Sequence, residues 1–373
     1  MLNITFSIVW SFSFFFLLTY LTLLISLITY LVPIICTQQN QNSTSYNKTN
    51  FSFINAGELL PVFISPYIIL LFLNLAWTGP AVSAWFGHVI VTSMQTKVVY
   101  LLLTSFIFSL LVMTSTTYFS SREVYDYLTT TFSIFYWVLV LFTANSIFTV
   151  IFIIEVLSAT LFLLIITSTF SSAYFYRNLN LSFGHLFQQV TPYTYLQSIL
   201  FFFWISLISS LNLFLFCILF YTKVLTLDWS LIEYLFIYFI NSTSTKDVLA
   251  LGLCWFVLLF CLFLKCGLAP LYIWKPTFFK GIPLYTLFFY VTFFYFFLFI
   301  YIIHLVTSYF GEVFYFYSII ISIMTIIGLT MLLFILCESF YIKAFLAMSS
   351  ILNSLFIFLA LSTPHINDTL LWF

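Results

Sequence analysis

Two ionisable side chains stand inside stretches that are otherwise apolar. Glu155 lies in FTVIFIIEVLSATLFLLI and Lys265 in LGLCWFVLLFCLFLKCGLAP. A charge near the middle of a bilayer costs roughly 2.5–3.5 kcal/mol on insertion scales, so each must face protein, water or an opposite charge. Carboxylates and amines kept in this way bind and release protons or ions, and they mark conduction pathways. Small residues recur beside both at helical spacing. Ser158 and Ala159 follow Glu155 by three and four positions, and Cys261 and Ala269 flank Lys265 by four. Such residues let a second helix approach closely, which predicts that both charges face protein.

The chain just after Lys265 adds a second signal. Pro270 has no N–H, so the carbonyl of Cys266 loses its helical partner, and Gly267 loosens the same turn. A discontinuous helix is expected near 265–270. Non-helical backbone at membrane depth persists only inside protein or beside a water-filled cavity, and broken helices of this kind mark ion pathways in transporters. Two plainer readings stand beside this one. The helix could end at the interface, where Trp274, Lys275 and Pro276 follow, or the two charges could form a structural salt bridge or snorkel to the surface.

The elements that must hold these groups follow from hydropathy. The chain is 64% hydrophobic and 5% charged, against about 25% charged residues in soluble domains, and cannot cover itself with polar groups in water. Runs long enough to span a bilayer fall near 5–33, 62–77, 97–118, 128–145, 147–174, 196–221, 247–270, 284–308, 314–337 and 343–362. The expectation is an all-α, polytopic transmembrane helical bundle of about ten spans forming a single domain over 1–373. The connectors are 36–52, 177–198 and 222–246, the last containing a semi-apolar piece at 229–240.

The first basic residue is Lys48 and the chain is mainly apolar from Ile4 to Ile35, which predicts a span there and no cleaved signal. On this count, odd-numbered loops carry Lys48, Arg122, Arg177, Lys275, Lys280 and Lys343, and even-numbered loops carry Lys97, Lys223 and Lys246. The excess places odd loops on the cytoplasmic or matrix side. Zero net charge offers no field for nucleic acid, and no extended polar segment is present to host a soluble active site. Cys36, Cys217, Cys254, Cys261, Cys266 and Cys337 form no metal-binding spacing, and inert buried thiols are expected. His88 and His185 are expected to be surface or packing residues.

The segment from Lys265 to Pro283, KCGLAPLYIWKPTFFKGIP, resembles a signature of the antiporter-like membrane-arm subunits of respiratory complex I. In the NADH dehydrogenase subunit 2 family it reads K-x-G-x-A-P-F-H-x-W-x-P-D-V-Y-E-G-x-P. Lys265, Gly267, Ala269, Pro270, Trp274, Pro276, Gly281 and Pro283 match in register, with Tyr272 at the His position and Thr277 and Lys280 at acidic ones. Residues 337–351 resemble the family's R-Q-T-N-I-K-R-x-L-A-Y-S-S-I through Lys343, Leu346, Ala347, Ser349, Ser350 and Ile351, with Glu338 at the start of the motif. Glu155 falls where the family's fifth helix carries its glutamate, so the resemblance covers roughly residues 86–360.

The resemblance implies a proton-translocating membrane-arm subunit of NADH:ubiquinone oxidoreductase, multi-pass in the mitochondrial inner membrane. Glu155 and Lys265 would form the switchable pair of a Glu/Lys/water axis, with Tyr295, His304, Glu338 and Lys343 as secondary candidates. Tyr295 falls near a position where the family has a further lysine, and His304 is the other basic candidate in that span. Residues 1–120 would be N-terminal helices, 121–310 a first antiporter-like repeat and 311–373 the start of a truncated second. The family has about fourteen helices, so a separate polypeptide supplying further helices, or loss of the second half, is expected. No cofactor or metal is expected in this chain; NADH, FMN, Fe–S clusters and ubiquinone would be held by other subunits. Expected partners are other complex I membrane-arm subunits and lipids such as cardiolipin. A free-standing cation/proton secondary transporter and a structural complex I subunit that no longer pumps are the rival readings.

Overall fold

The computed structural model describes residues 82–84, 88–91, 93–116, 121–178, 192–229, 231, 245–268, 270–309, 318–337 and 342–361. The expected spans at 5–33 and 62–77 lie outside them, as do residues 232–240 of the connector piece, His185, Ala269 and Glu338.

The described elements are a strand pair, β1 (Val82–Ala84) and β2 (Val89–Val91), followed by helices. These are α1 (Ser93–Thr116), α2 (Ser121–Thr143), α3 (Ile147–Asn178), α4 (Pro192–Val224), α5 (Thr245–Cys266) and α6 (Trp274–Gly281). Next come α7 (Leu284–Phe289), a π-helical turn (Tyr290–Tyr295), α8 (Phe296–Tyr309), α9 (Ser318–Cys337) and α10 (Ile342–Leu361). The all-α expectation holds, with the short antiparallel hairpin as an addition: Val82 pairs with Val91 and Ala84 with Val89, and His88 is exposed between them.

Among the described residues, five stretches are long and apolar enough to cross a bilayer: Ile147–Ser168, Tyr195–Val224, Thr286–Thr307, Ser318–Leu336 and Ile342–Ala360. Lys97–Leu111, Thr129–Thr143 and Gly252–Cys266 are shorter apolar helices at three further expected positions. The chain is therefore a multi-pass α-helical membrane protein. Within the helices, Ser and Thr hydroxyls fold back onto carbonyls one turn earlier, as Ser206 does onto Phe203 and Thr222 onto Leu219. That satisfies each hydroxyl where no water is available.

The chain divides into two compact units, each assembled from separate stretches. The first comprises Met1–Ala144, Val156–Gln188 and Pro283–Phe297. Its core is aromatic: Phe106 stacks on Phe135 at 4.4 Å, meets Phe132 edge-on at 5.6 Å and touches Phe293 of the π-helical turn at 5.4 Å.

The second unit comprises Asn145–Glu155, Gln189–Ile282 and Leu298–Phe373. Here α4 packs on α5 and α6, α6 packs on α10, and α10 packs on α9. Phe202 of α4 stacks on Phe278 of α6 at 5.1 Å, and Phe263 of α5 meets Phe358 of α10 edge-on at 5.3 Å. Leu207, Leu211 and Ile218 of α4 and Phe334 of α9 point outward, which suits helices whose solvent is lipid.

Candidate functional site

Glu155 and Lys265 are both in the second unit, and they meet. Lys265 Nζ donates to Glu155 Oε1 at 3.1 Å, across 110 positions of sequence. The Lys265 and Glu155 side chains are 12% and 28% exposed respectively, so the pair is only partly shielded.

The start of α3 explains how Glu155 is held. Ser146 accepts from the Thr149 N–H at 3.3 Å, an N-cap that fixes the first turn. The preceding backbone is pinned to the segment after α4, with the Ile147 N–H donating to Leu227 O at 2.9 Å and the Trp229 N–H to Asn145 O at 3.1 Å. Glu155 then lies about two turns into α3. Of its small neighbours, Ser158 is buried and Ala159 is exposed, so the close-approach expectation applies to Ser158 alone.

Lys265 is in the last turn of α5, whose ending is built in detail. Gly267 has φ +62°, its N–H donates to Leu264 O at 3.3 Å, and the Leu268 N–H donates to Phe263 O at 2.8 Å. This is the paired bond pattern of a Schellman cap. Two side chains from the first turn of α6 finish it. Trp274 Nε1 donates to Leu264 O at 3.1 Å, and Lys275 Nζ donates to Cys266 O at 3.3 Å. The Cys266 carbonyl is the one that Pro270 leaves without a helical partner, and the buried Lys275 supplies the donor.

Space at the break is tight. A Cβ at Gly267 would stand 3.0 Å from Lys275 Cδ and 3.1 Å from Trp274 Cζ2, in a backbone conformation that L residues avoid. Gly267→Ala is expected to destabilise the fold by about 1–2 kcal/mol from the left-handed conformation alone, with crowding added. Thermal unfolding in detergent checks it, and an unchanged melting temperature would contradict this account of the cap.

A cavity of about 50 Å³ abuts Lys265. It is lined by Val150 and Ile151 of α3, Leu258 and Lys265 of α5, and Tyr301 and Ile302 of α8 among others, and its walls are apolar. Tyr301 was not anticipated. Leu298, Tyr301, Ile302 and Leu305 recur at helical spacing along one face of α8 and all line the cavity.

The secondary candidates lie elsewhere. His304 is half-buried on α8 and is not among the residues lining that cavity. Tyr295 is buried in the π-helical turn of the first unit. Lys343 of α10 donates to Ile282 O at 2.8 Å, just past the end of α6, and so ties those two elements together. Tyr272, at the family's His position, packs with Leu332, Met348, Ile351 and Leu355. Cys217, Cys254, Cys261 and Cys266 are free and buried.

No protein-family profile matches the chain, and no curated protein does. Solved structures do. Respiratory complex I from Thermus thermophilus with bound aureothin contains a chain similar at a TM-score of 0.60 and 14% identity. The membrane-bound sulfane sulfur reductase, an archaeal respiratory membrane complex, contains another at 0.62 and 14%. Each alignment covers 93% of this chain and 64% of the other, so the chain spans less than two thirds of the length of the chains it matches. The fold is thus one found in chains of respiratory membrane complexes.

Proposed function

We infer that this chain is a membrane-arm subunit of a complex I-type NADH:ubiquinone oxidoreductase, in which Lys265 and Glu155 carry protons. The observation that carries the reading is the ion pair at 3.1 Å, placed at the capped end of a broken helix in an apolar bundle. The likeness of fold and the motif from Lys265 to Pro283 support it.

In the closed pair, the ammonium of Lys265 and the carboxylate of Glu155 attract one another across 3.1 Å. Moving α3 away from α5 would leave an ammonium in an apolar setting, and Lys265 would then give up its proton. Return of the carboxylate would favour its recharging. Redox chemistry held in other subunits would drive the movement, and this chain would contribute the proton-carrying groups alone.

The membership test is direct. After mild solubilisation, the chain is expected to co-migrate with NADH dehydrogenase activity on native electrophoresis. Migration alone, as a small particle without that activity, would instead fit a free-standing cation/proton transporter.

The apolar cavity beside Lys265 favours a second reading, a structural subunit that no longer pumps. An apolar chamber of this size stays dry unless polar groups anchor water in it. Proton yield in variants that fill or wet the chamber separates the two readings.

A further inference from the structure

We propose that Lys275 is a second proton-binding residue of this chain, an amine held at the broken end of α5 that titrates without disturbing the fold. The proposal rests on the reading above that the chain moves protons.

Lys275 is fully buried, on α6, and its Nζ donates to Cys266 O at 3.3 Å. That carbonyl belongs to the C-terminal end of α5, where aligned peptide dipoles leave partial negative charge that favours a proton on the amine. The ring of Phe279 lies 6.0 Å from Nζ and favours the cation as well. Burial works against both and lowers the affinity of Lys275 for its proton to a pKa of about 7. These opposed effects leave neither form dominant near neutral pH.

The site also tolerates either form. A neutral amine keeps two N–H groups and still donates to Cys266 O, while an ammonium has three. The cap on α5 therefore survives both the gain and the loss of one proton at Nζ.

Other titratable groups lie on the elements that pack around the site. From α5 come Cys266 and Lys265, the latter paired with Glu155 of α3. From α10 comes Lys343, which is engaged with Ile282 O. α4 meets α6 through the apolar Phe202, with Tyr195 about two turns before it and Cys217, Tyr221 and Lys223 farther along. On or near α6 itself are Tyr272, buried, and Lys280, exposed.

The test uses the assembled complex in proteoliposomes and reads proton yield per NADH against pH. The wild type is expected to step between two plateaus around a pH of about 7. Below the step Lys275 is charged, and above it neutral. Lys275→Arg holds the charge at every pH and should reproduce the acid plateau throughout. Lys275→Met holds the site neutral and should reproduce the alkaline one. Arg keeps donors for the cap, so if the Met variant does not assemble, the Arg profile alone decides. A step that persists in the variants, or is missing from the wild type, overturns the proposal. Lys265→Met is run in parallel. If it leaves the yield unchanged, the parent reading has failed; if it lowers the yield while the Lys275 variants behave as wild type, only the present proposal has.

Discussion

Lys265→Met is expected to slow proton transfer through this chain by about a hundredfold, the lower end of what a positioned proton carrier contributes. In proteoliposomes this would appear as a loss of the share of the proton yield per NADH that depends on this chain, with electron transfer continuing. Glu155→Gln should do the same from the other side, because the amide cannot stabilise the ammonium 3.1 Å away. Each single change also leaves a partner without its countercharge. Breaking a buried pair costs about 3–5 kcal/mol, and the partial exposure of both side chains lowers this to about 1–3 kcal/mol here. The double variant Lys265→Met with Glu155→Leu separates the two effects. It removes both charges and fills the space with apolar groups, so stability should return toward wild type while proton yield stays low. An unaltered proton yield in the well-assembled Lys265→Met complex would remove the assigned role.

The pair was legible because a lone charge in an apolar run is a signal at a single position. The break was legible for a similar reason: Pro270 names the carbonyl that loses its donor, and Gly267 supplies the left-handed residue of the cap. The donor that completes it was not. Lys275 lies nine positions after Cys266 in a segment that reads as an aqueous loop, and there it counts among the loop charges that set orientation. Its burial depends on α6 lying against α4 and α10, through contacts such as Phe202 on Phe278, which no local pattern encodes.

Tyr301 was missed for another reason. It is one of 25 tyrosines, and only the stripe it shares with Leu298, Ile302 and Leu305 marks it. His304 drew attention through its chemistry alone, although the same periodicity sets it off that stripe. The hairpin at 82–91 is built from three-residue strands, too short for an alternation to register.

The cavity beside Lys265 gives the sharpest distinction between a pumping and a silent subunit. Its volume of about 50 Å³ has room for a few waters, since one needs roughly 10–15 Å³. With the pair closed, the apolar walls offer water little to bind. Once Lys265 is drawn away from Glu155, its ammonium supplies an anchor, and a transient water chain can carry the proton off. Val150→Phe fills part of this space and keeps both charged residues, and is expected to lower this chain's share of the proton yield severalfold while the complex still assembles. The overpacking cost is about 1–3 kcal/mol and is read separately from thermal unfolding. Val150→Thr works in the opposite direction, adding a hydroxyl at nearly constant volume to hold water, and should preserve or raise the yield. A subunit that serves only as scaffold would give the same proton yield in both variants as in the wild type, because nothing would pass through the chamber.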